Sequence, residues 1–121
     1  MSQAAQAYSR TSQATAHPRE IEAQALLMAA KKLLDVQTNW AGPDNNLHKA
    51  LLFNRRLWTI FMSAADTNDN QQPVQVRQSI ANIGYFVMQR TVDMQLNPDP
   101  SKLKSLIDIN CNIAAGLAGK A

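Results

Sequence analysis

The sequence predicts an all-α protein, a compact antiparallel bundle of four main helices with room for a short fifth helix at the N-terminus. Four long segments carry apolar residues at the i, i+3, i+4 spacing of a helix that buries one face. Short stretches rich in proline, glycine and small polar residues separate these segments. No segment shows the alternation typical of a half-buried strand. Because the connections are short, we expect helices adjacent in sequence to pack antiparallel.

Composition places the chain among ordinary globular proteins. Its 121 residues, 45% hydrophobic and 17% charged, predict a single domain spanning 1–121. No apolar run reaches the roughly 18 residues of a membrane span, and residues 1–16 lack the apolar region of a secretory signal. A lone cysteine, Cys111, fits a reducing compartment. We therefore expect a cytoplasmic protein that does not insert into the membrane.

The N-terminal residues 2–16 are rich in alanine, glutamine, serine and threonine. One helical face of this segment would carry Ala4, Ala7, Tyr8, Thr11 and Ala14. Such small side chains gain little by burial, so this helix would be weakly ordered or would dock by close approach. A frayed polar tail is the alternative.

The first main helix is predicted to begin at Pro18, since proline suits the first helical position. Glu20 and Glu22 then lie near the positive end of the helix dipole. The apolar pattern continues towards Trp40, and glycine followed by proline at 42–43 should stop the helix.

The second helix, capped by Asp44 or Asn45 and lasting to about residue 65, is predicted to be the central one. Its main stripe comprises Leu47, Leu51, Asn54, Trp58 and Phe61. An adjoining stripe comprises Leu52, Phe53, Leu57, Ile60 and Ala64. A helix that is apolar over so much of its circumference should be covered from several sides.

The third and fourth helices follow a polar loop at 66–72 and a rigid break at 97–100. Pro73 should open the third helix, where Gly84 indicates a close helix–helix approach or a slight kink. Ser101 should cap the fourth helix. Asn54 and Asn110 each interrupt an apolar stripe, and an internal hydrogen bond between them, or to backbone, is the favoured reason. Contact with a partner's backbone is the alternative.

The chain offers few residues for catalysis. It has two histidines, one cysteine and nine acidic residues, most of them at helix starts or in loops. It has no CxxC or HExxH spacing and no glycine-rich phosphate loop. The sequence therefore predicts no catalytic residues, no metal site and no cofactor, and hence no enzyme. Basic residues are too sparse for a typical nucleic-acid surface, the largest cluster being Lys49 with Arg55 and Arg56.

A surplus of apolar and aromatic residues on the second and third helices predicts a groove for a partner's amphipathic helix. Arg55 and Arg56 would stand on its rim and pair with acidic groups. The predicted partner-binding residues are Asn54, Arg55, Arg56, Trp58, Phe61, Tyr85 and Phe86. For each aromatic residue taken singly, a place in the core is the more common role.

Three blocks carry a resemblance to a known family. They are residues 54–61 (NRRLWTIF), 77–84 (RQSIANIG) and 106–110 (LIDIN), and in this order and spacing they resemble the FlaF family of flagellar biosynthesis regulators of alphaproteobacteria. The likeness covers nearly the whole chain, although none of the blocks is a catalytic motif.

The resemblance implies a cytoplasmic protein needed for flagellin production and filament assembly. It implies flagellin as a partner, bound in the manner of a secretion chaperone, and a link to a second regulator, FlbT. Action through the flagellin messenger RNA or through FlbT is the alternative. The sparse basic residues disfavour direct RNA binding.

Overall fold

The computed structural model describes residues 18–42, 45–65 and 74–119. Within these ranges the chain is helical and contains no strand, which confirms the predicted all-α bundle. The elements are α1 (Pro18–Thr38), α2 (Leu47–Ala65), α3 (Val74–Leu96), a 3-10 helix (Pro100–Lys102) and α4 (Leu103–Leu117). The predictions for residues 1–16, Pro43, Asp44, the loop at 66–72 and Pro73 lie outside the described residues.

The helices do not pair simply in chain order. The most extensive contact joins α1 to α4, the first and last described helices, and the sequence did not predict this pairing. The α2 helix packs on both α1 and α3, and it reaches α4 through side-chain hydrogen bonds. It therefore touches all three other helices, as expected of a central helix. The α3 and α4 helices approach each other only sparsely.

The core lies where the main stripe of α2 meets the other helices. Trp58 is the largest fully buried side chain, and its ring meets Phe61 edge-on with centroids 5.7 Å apart. The other large apolar side chains excluded from solvent are Leu26, Leu33, Val36, Leu51, Val87, Met94, Leu103 and Leu106. The expectation that α2 would also be covered along its adjoining stripe was wrong at Ile60, which is 63% exposed because the helices that pack on α2 leave that position open to solvent.

Side chains cap the starts of two helical segments, and in one case the capping residue differs from the prediction. The Asn45 Oδ1 atom accepts a hydrogen bond of 3.1 Å from the Leu47 N–H, so Asn45 caps α2 as predicted. Ser101 does not cap the last helix. Instead the Asp99 carboxylate accepts from the Ser101 N–H (2.9 Å) and hydroxyl (2.8 Å), because Pro100 starts a 3-10 turn before α4.

Gly84 lies where the α3 backbone comes close to a side chain of α2, which agrees with the predicted close approach. A Cβ atom at this position would stand 2.5 Å from the Met62 Sδ and 2.6 Å from its Cγ. Only glycine leaves the space that the methionine side chain occupies here. The two helices are therefore in direct contact at this level, with no room between them for a third helix.

Candidate functional site

The seven predicted partner-binding residues fall into two groups. Asn54 and Trp58 have no exposed surface, and Phe61 is half-buried beside them. The exposed residues are Arg55, Arg56, Tyr85 and Phe86. Partner binding by the whole set stays a prediction, but in this conformation only the exposed members and the edge of Phe61 can touch a partner.

The buried group forms a hydrogen-bonded chain between α2 and α4. The Trp58 indole N–H donates to the Asn110 Oδ1 (2.9 Å), and the Asn110 Nδ2 donates to the Asn54 Oδ1 (2.7 Å). The indole can only donate, so it fixes which way both amides point. The predicted internal bond between Asn54 and Asn110 is confirmed. The participation of Trp58 was missed, although an indole 52 residues away in the chain gives no local signal of it.

This buried chain, which we call the amide network, has one end without a partner. The Asn54 Nδ2 is buried and has no hydrogen-bond partner among the described residues. Buried amide networks fix how helices register against each other, and each unmade bond costs stability. The amide network therefore joins α2 to α4 and holds the core in one arrangement.

The exposed side of α2 carries an open depression of about 490 Å³, which we call the arginine face. It is lined by Leu52, Arg55, Arg56, Thr59 and Ile60. The Thr59 hydroxyl donates to the Arg55 backbone carbonyl (2.8 Å) and so is already satisfied within its own helix. Aliphatic side chains and two guanidinium groups are left to face solvent.

The charge of the arginine face is uncompensated within the described part of the chain. The α2 helix contains Lys49, Arg55 and Arg56 but no carboxylate. No described acidic side chain lies within ion-pair distance of Arg55 or Arg56. Lysines on α1 and α4, by contrast, pair with an aspartate one turn along their own helix. The arginine face is thus a positively charged surface with an apolar floor.

A second apolar surface runs along the C-terminal half of α3, and we call it the α3 stripe. Its members recur at i, i+7 and i+11 and are Tyr85 (63% exposed), Val92 (52%) and Leu96 (73%). Gln89, between them, donates its side-chain amide to the Tyr85 hydroxyl (2.9 Å). Beside the stripe, the Arg90 guanidinium lies 5.3 Å from the centre of the Phe86 ring.

An apolar groove also lies between α3 and α4, and the groove that the sequence predicts on the second and third helices stays a prediction. We call the observed groove the α3–α4 groove; it encloses about 410 Å³, and its apolar walls include Ile80, Ile83, Ile113 and Leu117. In the sequence these four residues fall on the apolar stripes of the third and fourth helices, at the spacing of a helix that buries one face. They are incompletely buried because α3 and α4 make few contacts with each other, and no local sequence pattern predicts this.

Three ionisable groups have shifted pKa values, and none of them lines the arginine face. Burial raises the pKa of Glu22, and nearby Arg19 offsets this only in part. The hydrogen bond from Lys102 (2.9 Å) lowers the pKa of Asp93. The Ser101 backbone and hydroxyl bonds lower the pKa of Asp99. Among the described residues no three His, Cys, Asp or Glu side chains gather as a metal site would require.

No described helix has the length and apolar character needed to cross a membrane. Comparison with curated proteins and with solved structures gave no match. Comparison with protein families gave a match to the model described as flagellar protein FlaF, over residues 4–117. That range takes in all four helices, the amide network and the arginine face. The chain therefore belongs to the FlaF family of flagellar proteins.

Proposed function

We propose that this chain is a non-enzymatic regulator of flagellum biogenesis that binds flagellin as a chaperone-like partner in the cytoplasm. By doing so it promotes flagellin synthesis or secretion and filament assembly. The observation that carries the proposal is the arginine face, a depression lined by aliphatic side chains and by two arginines that have no acidic partner among the described residues. Membership of a flagellar family directs the choice of partner.

The chemistry of the arginine face suits an amphipathic helix with acidic residues on its flank. Leu52 and Ile60 would receive apolar side chains from the partner. Arg55 and Arg56 would pair with carboxylates, for which the planar guanidinium offers two parallel hydrogen bonds. Flagellin's terminal regions are amphipathic before assembly, so covering them has a physical purpose, since exposed apolar faces associate unproductively.

The α3 stripe supports the same proposal from a second helix. Tyr85, Val92 and Leu96 leave more than half of their side-chain surface in solvent. Large aromatic and aliphatic side chains in such positions are typical anchors of protein interfaces. We infer that a flagellin helix lies on α2 and that a further segment of flagellin contacts the α3 stripe.

The test mixes the purified chain with monomeric flagellin and follows the heat of binding and the elution volume of the mixture. We expect a stoichiometric complex with a negative heat-capacity change, which reports burial of apolar surface. The Arg55→Glu/Arg56→Glu double variant should bind at least about tenfold more weakly, because it places like charges against the partner's carboxylates. Its helical circular dichroism should not change.

The matched control is Lys31→Glu/Lys104→Glu, which changes the net charge by the same amount on α1 and α4, where both lysines are exposed. This variant should bind flagellin as the parent chain does. Equal weakening in both double variants would mean that the net charge of the chain, and not the position of Arg55 and Arg56, controls binding. If the parent chain forms no complex with flagellin, the chaperone proposal is wrong, and binding to FlbT becomes the next measurement.

A further inference from the structure

The outward side of α2 carries a continuous line of side chains that extends beyond the arginine face. Its members recur at i, i+4, i+7 and i+11 and are Lys49, Phe53, Arg56 and Ile60, which we call the outer stripe. Phe53 is half-buried, and the other three residues are exposed. At about 100° per residue the stripe faces away from the buried Trp58, and it extends about 16 Å along the helix.

The N-terminal half of the outer stripe forms one wall of a cleft between α1 and α2. This α1–α2 cleft has a volume of about 510 Å³; Lys49 and Phe53 line it from α2, and Lys32 and Asp35 line it from α1. The Lys32 Nζ lies 5.1 Å from the centre of the Phe53 ring. Arg56, three residues after Phe53, already lines the arginine face. The two depressions therefore follow one another along the same side of α2.

The charge along this surface is positive. No described carboxylate lies within ion-pair distance of Lys32 or Lys49. Asp35 is the acidic residue among those that line the α1–α2 cleft, and its carboxylate is paired with Lys31 at 3.2 Å. Along the outer stripe a cation therefore alternates with an apolar side chain, in the order lysine, phenylalanine, arginine and isoleucine.

The spacing of the outer stripe suits a second helix lying along α2. Steps of four, three and four residues are those at which two helices pack along a common seam. Each seam position meets side chains of the facing helix, so a cation there needs a carboxylate and an apolar residue needs an apolar contact. The complementary helix thus alternates acidic and aliphatic residues at the same steps.

A second copy of this chain does not provide that complement. Self-association through the outer stripe would bring the four cations Lys32, Lys49, Arg55 and Arg56 of each chain into one interface. The paired Asp35 is the acidic residue that the two depressions offer against them. Like charges brought together in an interface weaken binding, so the occupant is an acidic helix of a different protein.

We propose that the outer stripe and the α1–α2 cleft form one docking site for a partner helix in which carboxylates and aliphatic side chains alternate at steps of four and three residues. The carboxylates pair with Lys49 and Arg56, and the aliphatic side chains pack on Phe53 and Ile60. Lys32, held against the Phe53 ring, pairs with a further carboxylate beside the seam. The inference deepens the proposed function and rests on it for the identity of the partner as flagellin.

The test uses two synthetic helical peptides of about 21 residues, or three heptads, with the same composition. In the first peptide glutamate and leucine alternate along one seam at these steps, and in the second the glutamates are moved to the opposite face. Fluorescence anisotropy measures the binding of each labelled peptide to the full chain. The first peptide should bind at least about tenfold more tightly than the second, because only it opposes carboxylates to the cations of the stripe.

Lys49→Glu should weaken binding of the first peptide at least about tenfold, since it places a carboxylate against a carboxylate. The matched control is Lys104→Glu, which reverses an exposed lysine on α4 and should bind as the parent chain does. Phe53→Ala should also weaken binding, because it removes the apolar contact of the cleft. Equal affinities of the two peptides, no binding of either, or equal affinities of the two lysine variants would overturn the proposal.

The same lysine variants, titrated with monomeric flagellin, separate this inference from the proposed function. If flagellin binds the parent chain and Lys49→Glu equally well, the extended docking site is wrong and the flagellin proposal stands. If the first peptide binds as expected but flagellin forms no complex, the docking site stands and flagellin is the wrong partner.

Discussion

The two faces of α2 differ sharply although their residues alternate along one short stretch. Asn54 and Trp58 are fully buried and hydrogen-bonded to α4 through Asn110. Arg55 follows Asn54 directly and is exposed, and Ile60 is 63% exposed two residues after Trp58. A helix turns by about 100° per residue, so residues one or two positions apart can lie in different environments.

Residues 54–61, which carry much of the resemblance to the FlaF family, have two different roles. The inner residues hold the bundle together, and the outer residues are free to meet a partner. A substitution in this block that abolishes function therefore has two possible causes. Stability measurements distinguish them, because inner and outer substitutions should differ widely in their cost.

Trp58→Ala should have the largest effect, a loss of about 4 kcal/mol in the free energy of unfolding, because it empties the centre of the core. Ile60→Ala, in the same helix but exposed, should cost less than about 0.5 kcal/mol. Urea denaturation measures both. Similar losses for the two variants would contradict the division of α2 into inner and outer faces.

Trp58→Phe tests the same position if the alanine variant does not fold. It keeps an aromatic ring but removes the indole donor and leaves the Asn110 Oδ1 without this bond. The expected loss is about 1–3 kcal/mol.

Substitution within the amide network should rank next. Asn110→Ala removes both hydrogen bonds, whereas Asn54→Ala removes one, so each should cost about 1–3 kcal/mol with Asn110→Ala the larger. The double variant should cost less than the sum by at least about 0.5 kcal/mol, since both single changes break the same bond. Strict additivity in this double-mutant cycle would show that the bond between the two amides does not stabilise the fold.

Gly84→Ala should have a smaller effect, about 1 kcal/mol of destabilisation. The new methyl group displaces the Met62 side chain, which outweighs the gain of about 1 kcal/mol in helix propensity. In a Met62→Ala background the clash is gone, so the same substitution should stabilise that variant. Thermal unfolding of the four chains gives the sign in each background. Destabilisation of equal size in both would place the close contact elsewhere.

Acid sensitivity should come from outside α2, which has no carboxylate. Asp93 and Asp99 have pKa values lowered below their ordinary 3.8, by Lys102 and by Ser101 respectively. Their contribution to stability is therefore present above that pH and is lost as the pH falls through the lowered values. Glu22 has the opposite effect, because its raised pKa means that its ionised form destabilises the fold. This destabilisation appears as the pH rises through about 4.5.

Asp99→Asn should make the free energy of unfolding depend less on pH at acid pH. Glu22→Gln should leave this acid dependence unchanged and should raise the free energy of unfolding above pH 5. Denaturation between pH 3 and pH 7 measures both. Asp99 is only partly buried and its charge is screened by solvent, so we expect this effect to be the smallest of the series. An unchanged acid dependence in Asp99→Asn would mean that the Ser101 bonds do not persist in solution.

Much of the bundle could be predicted from local patterns. The helices, the cap at Asn45 and the close approach at Gly84 each depend on residues within a few positions of one another. The cap at Ser101 was predicted wrongly because Pro100 can open a 3-10 turn as readily as an α-helix, and the turn moves the capping role to Asp99. The exposure of Tyr85, Val92 and Leu96 could not be predicted in this way, because it depends on which helices pack against α3.

The sequence by itself determined the helical class, the inner stripe of α2 and the need of Asn54 and Asn110 for a hydrogen-bond partner, since a polar residue on an apolar stripe must find a partner when it is buried. It also indicated a family with no catalytic motif. Only the tertiary structure decided that α1 packs on α4, that Trp58 completes the amide network, and that an open groove lies between α3 and α4. These features depend on contacts between residues far apart in the chain. The angles at which the helices cross decide which of these contacts form, and a local apolar pattern does not fix those angles.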